Sequence, residues 1–479
     1  MTLDALLAVW TESPLVASVQ ASEGAMVDDP DVLRRMAGDS LSQGVRCLRL
    51  QGVENIRTIC SAFPVPTIGL IKRTYGDSDV YITPTLAEVD ALLALGVEVI
   101  ALDGTARPRP GSETLHQLIA RVHAGGALAM ADCDSVESAL FAVEAGADLV
   151  GTTLAGYTPA RRATPGPDFD LLRELCIAVR VPVIAEGRFY EPWQAQAAIA
   201  AGARAVVVGG ALNDPIKQTK AFFSAVEPTR AKCGAVDIGG TWIRCATVLP
   251  SGELGEVYRI PTSPDREVRL DQIRAWVEGA GVDRVGVSSG GVVDLQTATV
   301  TDALPVIPNH VGTDFRSLAK EVVALNDGLA AAWAHALHPT FAARRVATLA
   351  LGTGVGCGLV DRGEIWTDAR GDYPRLNQAP TGGGKSFEEL LGGAALSPNP
   401  TQAQVESAIE AAHLAVGWIR AMWMPEAIVV AGSVGFAPWL PVDELGLIRS
   451  PYGPDAALRG AAALCLRRPR NVLIHAHQG

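Results

Sequence analysis

Between residues 16 and 212 the chain repeats one unit eight times: a short apolar run, a polar or glycine-rich break, and a longer amphipathic stretch. The runs lie at 16–19, 47–50, 67–71, 97–102, 127–131, 149–152, 181–185 and 205–208. Apolar runs of this length, separated by helical-period stretches, suit parallel strands joined by crossover helices. Such strands are buried on both faces, and each return must pass over the sheet. Eight units close a sheet into a (β/α)8 TIM barrel, so the expected fold class is α/β with this barrel at the N-terminus. Barrel chemistry sits where the strands end at their C-terminal side. The residues at or beside the ends of the eight runs are Gln20, Arg49, Lys72, Asp103, Asp132, Thr153, Glu186 and Gly209.

A helical segment at 215–226 closes this unit, and the chain then starts again. An apolar strand from Cys233 runs into Gly239-Gly240-Thr241 and resumes at Ile243, the pattern of a hairpin with a tight glycine turn. Further on come a strand before Asn326-Asp327, an Ala-rich helix at 329–337, a strand-turn-strand at 346–360 and a glycine turn after a strand at 428–432. The expected organisation is a barrel at 1–227, a linker at 228–232 and a second α/β domain at 233–479.

The charge balance is 40 Lys plus Arg against 52 Asp plus Glu, a net −12, with no Lys/Arg-rich run. That argues against nucleic acid or an anionic membrane surface as a partner and leaves small ligands held by local positive charge. No 18-residue apolar stretch reads as a membrane span. The eight cysteines are scattered without a CxxC pair, which disfavours a disulfide framework and fits a reducing, cytoplasmic setting. Oligomeric state is left open, a homo-oligomer included.

Lys72 closes the strand Gly69-Leu70-Ile71-Lys72, and Glu186 closes Ala185-Glu186-Gly187-Arg188. A lysine at a barrel mouth whose pKa is lowered suits proton abstraction beside a carbonyl, with a carboxyl from another strand as its counterpart. Taken alone, the two read first as an ion pair bracing the mouth. The wider pattern shifts that reading. Gln20, Arg49 before Gly52, Lys72, Asp103 before Thr105, Asp132, Val150-Gly151-Thr152-Thr153 with Gly156-Tyr157-Thr158, and Glu186-Gly187-Arg188 recur in an order that resembles the N-acetylmannosamine-6-phosphate 2-epimerases across 1–225. The resemblance implies C2 epimerisation of an N-acetylhexosamine 6-phosphate. Lys72 would be the C2 acid/base and Glu186 its assistant, with Gln20, Arg49, Asp103 and Asp132 holding the sugar. The phosphate would lie near Gly187, Arg188, Gly209 and Gly210. One departure is Asn213-Asp214-Pro215, where that family usually carries Thr-Arg-Pro. Asp214 either repels the phosphate or caps the next helix, and Arg188 is the expected compensation.

In the second half, Asp237-Ile238-Gly239-Gly240-Thr241 and Gly352-Thr353-Gly354-Val355-Gly356 both place glycines after apolar strands, where backbone amides can approach phosphates. Each by itself also suits a plain hairpin. Asp327, at a strand-to-helix switch, has the chemistry of a base that takes a hydroxyl proton during phosphoryl transfer, or of a helix cap. Together they resemble ROK-family sugar kinases across 233–468. That likeness implies a two-lobed actin-like fold, ATP with Mg2+, and Asp327 as base. The ATP contacts would be Asp237, Gly239, Gly240, Thr241, Gly352, Thr353, Gly354, Gly356, Gly432 and Ser433. The sugar contacts would be Asn309, Asn326, Asp372, Arg375 and Glu388. The family's histidine and cysteine zinc element is replaced by Gly371-Asp372-Tyr373-Pro374-Arg375 and later Gly384-Lys385-Ser386, so no zinc is expected.

The two resemblances jointly imply a bifunctional enzyme of sialic acid breakdown. One half phosphorylates N-acetylmannosamine at O6 and the other epimerises the product to N-acetylglucosamine 6-phosphate. The alternatives are a kinase for another hexose, or a catalytically weak sensing domain, fused to the epimerase.

Overall fold

In the computed structural model, residues 23, 165, 227–228, 369–370, 397–398 and 477–479 lie outside the described residues, and with them the first position of the expected linker. The chain divides into two compact units, Met1–Ala225 and Val226–Gly479.

The first unit is a closed parallel barrel of β1 (Leu15–Val19), β2 (Cys47–Gln51), β3 (Thr67–Leu70), β4 (Val99–Asp103), β5 (Leu128–Asp132), β6 (Leu149–Gly151), β7 (Val183–Glu186) and β8 (Ala205–Val208). β1 pairs with both β2 and β8, which shuts the ring. Strand alternation divides the apolar residues into two layers, as the period-2 geometry of a strand requires. Val16, Ile68, Val99, Met130 and Val207 fill the barrel with Leu6 and Trp10 of the N-terminal helix Leu3–Glu12. Val19, Leu50, Ile100, Ala131 and Val206 point outward to the ring of helices. Each fully buried side chain of this kind contributes about 1.5–3 kcal/mol relative to exposure.

The second unit repeats one sheet pattern twice. In the first sheet β9 (Cys233–Ile238) has β10 (Trp242–Val248) antiparallel on one side, extended by β11 (Leu254–Pro261). On its other side β12 (Arg284–Ser289) and β15 (Glu321–Asn326) run parallel to it. β13 (Val292–Asp294) and β14 (Thr299–Asp302) form a separate hairpin, and β21 (His475–Ala476) pairs with β15. In the second sheet β16 (Val346–Leu351) has β17 (Val355–Asp361) antiparallel, followed by β18 (Glu364–Ile365). β19 (Ala427–Ala431) and β20 (Ile448–Arg449) lie parallel on the far side. This duplicated hairpin-plus-parallel sheet is the two-lobed actin-like arrangement. Each sheet buries its own apolar cluster, Val236 and Val287 with Phe315 in one, Leu349 and Val430 with Phe387 in the other. Among the described residues no helix is long and apolar enough to cross a membrane.

Candidate active sites

At the barrel mouth, side chains from four strand ends interlock. Arg49, only 1% exposed, sets Nη2 2.6 Å from Asp132 Oδ2. Its Nε lies 3.2 Å from Glu186 Oε1, an ion pair whose N–H is not aimed well enough to form a hydrogen bond. Thr153 donates through Oγ1 to Asp132 at 2.6 Å and lies 3.2 Å from Glu186 Oε2. Thr152 ties its hydroxyl to both backbone groups of Glu186. Glu186 is thereby held on one side by a cation and on the other by a hydroxyl. Burial nevertheless dominates and pushes its carboxyl up to about 7 against the pull of Arg49, with Asp132 adding to the rise.

Lys72 Nζ donates to Gln20 Oε1 at 2.8 Å, and Gln20 in turn donates to Ser18 Oγ at 2.9 Å. The open mouth leaves the Lys72 side chain reachable by water although protein surrounds it. Desolvation first and the Arg49 guanidinium second hold its ammonium below the ordinary lysine value, with Lys217 adding to the effect. A lowered lysine at the same barrel mouth as a raised carboxyl is an arrangement suited to acid–base chemistry.

The remaining expected sugar and phosphate residues divide. Asp103 is fully buried and occupied: its Oδ1 accepts from the Thr105 hydroxyl at 2.6 Å and its Oδ2 from Arg107 at 2.6 Å. Gly187 (φ 109°) and Gly209-Gly210 present backbone at the ends of β7 and β8. Arg188 is turned to another task. Its guanidinium donates to the carbonyls of Ala155 (2.7 Å) and Gly166 (3.0 Å) and to Thr164 Oγ1 (3.1 Å), fastening the loop after β6. Asp214 is a cap: Oδ1 accepts from the Lys217 N–H at 3.0 Å, while Oδ2 accepts from Ser22 and pairs with Lys217 Nζ at 3.0 Å. Burial alone would raise its pKa, yet these Lys217 and Ser22 contacts outweigh it and hold it below the ordinary aspartate value. Sequence reading placed Thr153 at a strand end without giving it a role and passed over Lys217. Thr153 was signalled by its place at a strand end; Lys217 emerges only from its salt bridge.

In the second unit a cavity of about 240 Å3 is lined by both glycine loops and the N-terminus of the helix Asp327–Leu337. Asp237 accepts from Ser288 Oγ at 2.7 Å and from Arg244 Nε at 3.0 Å. Asp327 faces the same cavity, and burial first, then the charge of Asp237, push its carboxyl up to about 6. Gly239, Gly240, Gly352, Thr353, Gly354, Gly356 and Gly432 line it too, whereas Thr241 and Ser433 do not. Gly432 (φ 82°) passes so close to the Leu351 carbonyl that no side chain fits there.

The expected sugar contacts are placed unevenly. Arg375 and Glu388 line the cavity, but each is engaged. Arg375 pairs with Asp302 and, at 3.3 Å, with Asp372; Glu388 accepts the Val355 N–H at 2.8 Å and so props the second glycine loop. Asn326 also lines the cavity, with its amide committed: Oδ1 accepts from the Gly328 N–H at 2.9 Å as the helix cap, and Nδ2 donates to the Gly291 carbonyl at 2.9 Å. Asn309 and Asp372 are not lining residues. Asn309 donates to the Pro264 carbonyl instead, and its neighbour His310 faces the cavity, bonded through Nε2 to Ser289 Oγ at 2.8 Å. Burial pushes the His310 imidazole down to about 4, so it is neutral at physiological pH. The sequence held no signal to prefer His310 over Asn309.

Residues 33–228 match the family model "Putative N-acetylmannosamine-6-phosphate epimerase", and residues 233–376 match the ROK family. The bifunctional enzyme NanE/NanK of Brucella melitensis is 31% identical over 93% of this chain and 91% of its own length. The Brucella suis protein of the same name is 31% identical over 93% and 90%. The solved N-acetylmannosamine-6-phosphate 2-epimerase of Clostridium perfringens is 42% identical, covering 46% of this chain and 95% of its own, at a TM-score of 0.45.

Proposed function

The chain belongs to the family of bifunctional NanE/NanK enzymes, and from that premise we propose that Lys72 with Glu186 and Asp327 are the reacting groups of its two activities. The kinase unit transfers a phosphoryl group from ATP to O6 of N-acetylmannosamine. The barrel epimerises N-acetylmannosamine 6-phosphate at C2 to N-acetylglucosamine 6-phosphate. The observation that carries this reading is the coexistence, in one chain, of a lowered lysine and a carboxyl raised to about 7 at a barrel mouth and a buried carboxylate between two glycine loops.

In the barrel, Lys72 in its amine form removes the C2 proton beside the carbonyl carbon of the opened sugar. Glu186 exchanges a second proton, and return of hydrogen to the opposite face inverts C2. Arg49 and Asp132, locked to each other, fix where the sugar oxygens bind. The phosphate is held by backbone at Gly187, Gly209 and Gly210.

In the kinase unit, ionised Asp327 takes the proton of the O6 hydroxyl as it attacks the terminal phosphorus of ATP. Asp237, itself paired with Arg244, raises the proton affinity of Asp327 across the same cavity, and a magnesium ion arriving with the nucleotide would be held beside Asp237, leaving Asp327 to take the proton. Bound magnesium would neutralise phosphate charge. The eight cysteines are all unpaired, which supports a reducing, cytoplasmic setting. The engagement of Arg375 by Asp302 and Asp372 favours one second reading, a kinase that takes another hexose.

The test is whole protein with ATP, magnesium and N-acetylmannosamine in deuterated water, read by mass spectrometry and NMR. N-acetylglucosamine 6-phosphate carrying deuterium at C2 is the expected product. Phosphorylation of other hexoses alone would sink the sugar assignment, and accumulation of unepimerised N-acetylmannosamine 6-phosphate would sink the barrel assignment.

A further inference from the structure

The second unit holds another cavity, of about 490 Å3, that contains none of the residues proposed for the phosphoryl transfer. Its walls are Val226 and Thr229, the turn after β10 with Ser251 and Glu253, the C-terminal part of the helix Asp327–Leu337, Tyr452, and the helix Ala456–Leu466 with Arg467 just beyond it. Arg459 lies over the Tyr452 ring at 6.0 Å. Among the described residues neither Arg459 nor Arg467 has a carboxylate partner, whereas both arginines that line the reaction cavity, Arg244 and Arg375, do. Two unpaired guanidiniums against one carboxylate, with hydroxyls and an apolar wall, form a cavity large enough for a hexose phosphate. Guanidinium groups offer planar, paired donors that match phosphate oxygens.

We propose that this cavity is a binding site for a small phosphate ester, held by Arg459 and Arg467. The same two helices reach both cavities: Asp327 and Ala331 line the first and Ala334 and Leu337 the second, while Ala456 and Ala457 line the first and Arg459 and Ala463 the second. Gly460 sits so tightly on the Ala330 carbonyl that a β-carbon would collide with it, so the helices are in backbone contact at their midpoint. A ligand that draws on Arg459 therefore sits on the helix that packs directly against the one carrying Asp327.

The site is tested on the full chain by hydrogen exchange with inorganic phosphate and with glucose 6-phosphate. Protection is expected in peptides covering 249–253 and 456–467, with the apparent affinity falling about tenfold in Arg459→Gln/Arg467→Gln. Far-UV circular dichroism and the melting temperature serve as the folding control, and if the double variant fails it, the exposed Arg467→Gln is measured alone. Absence of protection in these peptides of the wild type overturns the proposal, as does equal protection in the variant. Because the readout is local binding, it stands or falls apart from the sugar assignment.

Discussion

Glu186 and Asp327 are carboxyls raised by burial, and the sign of each shift sets a pH dependence. Asp327 must be ionised to accept a proton, so kinase turnover is expected to rise with pH through about 6 and level off above it. A turnover profile flat from pH 5 to 8 would remove Asp327 from the base role. Asp327→Asn should lower turnover by about 10²–10⁴. For Glu186 the folded value, about 7, lies above the ordinary 4.5. Its stabilising contribution is therefore present below the ordinary value and lost as pH rises through about 7. The melting temperature of the wild type should fall relative to Glu186→Gln between pH 4 and pH 8. Asp214 shows what a residue name alone leaves undecided. As a capping carboxylate already neutralised by Lys217, it should tolerate Asp214→Asn with the sugar-phosphate KM within about twofold. A large fall in KM would instead mean that Asp214 repels the phosphate.

At the scale of elements, the barrel strands were legible because each is a short apolar run buried on both faces, and β1 to β8 fall on the expected runs. The hairpin β9–β10 was legible from its glycine turn. β11, β12, the hairpin β13–β14 and the edge strands β18, β20 and β21 were not, the shortest of them because strands of two to four residues carry too little periodicity to be told from loop. The start of the helix Asp327–Leu337 is where local and catalytic roles meet, since Asn326 both caps it and holds Gly291. Asn326→Ala should cost about 1 kcal/mol through the lost cap and more through the unpaired Gly291 carbonyl, a drop read by thermal unfolding. Because Asp327 follows directly, kcat should fall while ATP affinity holds. Unchanged kcat would mean that Asn326 does not position Asp327.

For the whole molecule, two chemistries of different kinds share one chain, and they should separate on metal removal. EDTA is expected to abolish phosphorylation while deuterium exchange at C2 of added N-acetylmannosamine 6-phosphate continues, since the acid–base exchange proposed for Lys72 and Glu186 calls for no metal. Loss of both activities on chelation would contradict this division. Lys72→Ala should stop the exchange and leave phosphorylation intact.

The sequence by itself determined the barrel and a second α/β unit, and it singled out Lys72, Glu186, Asp237 and Asp327 as candidate positions. Hydrophobic period and glycine turns are local signals, and strand ends place residues at the mouth whatever their partners. Only the tertiary structure decided which polar groups remain available. Arg49 meets Asp132 and Glu186 from strands 83 and more residues away, and Arg188 is spent on loop carbonyls. His310 rather than Asn309 faces the cavity, and Asp302, 73 residues from Arg375, claims its guanidinium. Such pairings depend on topology bringing distant segments together, and no periodicity along the chain encodes them.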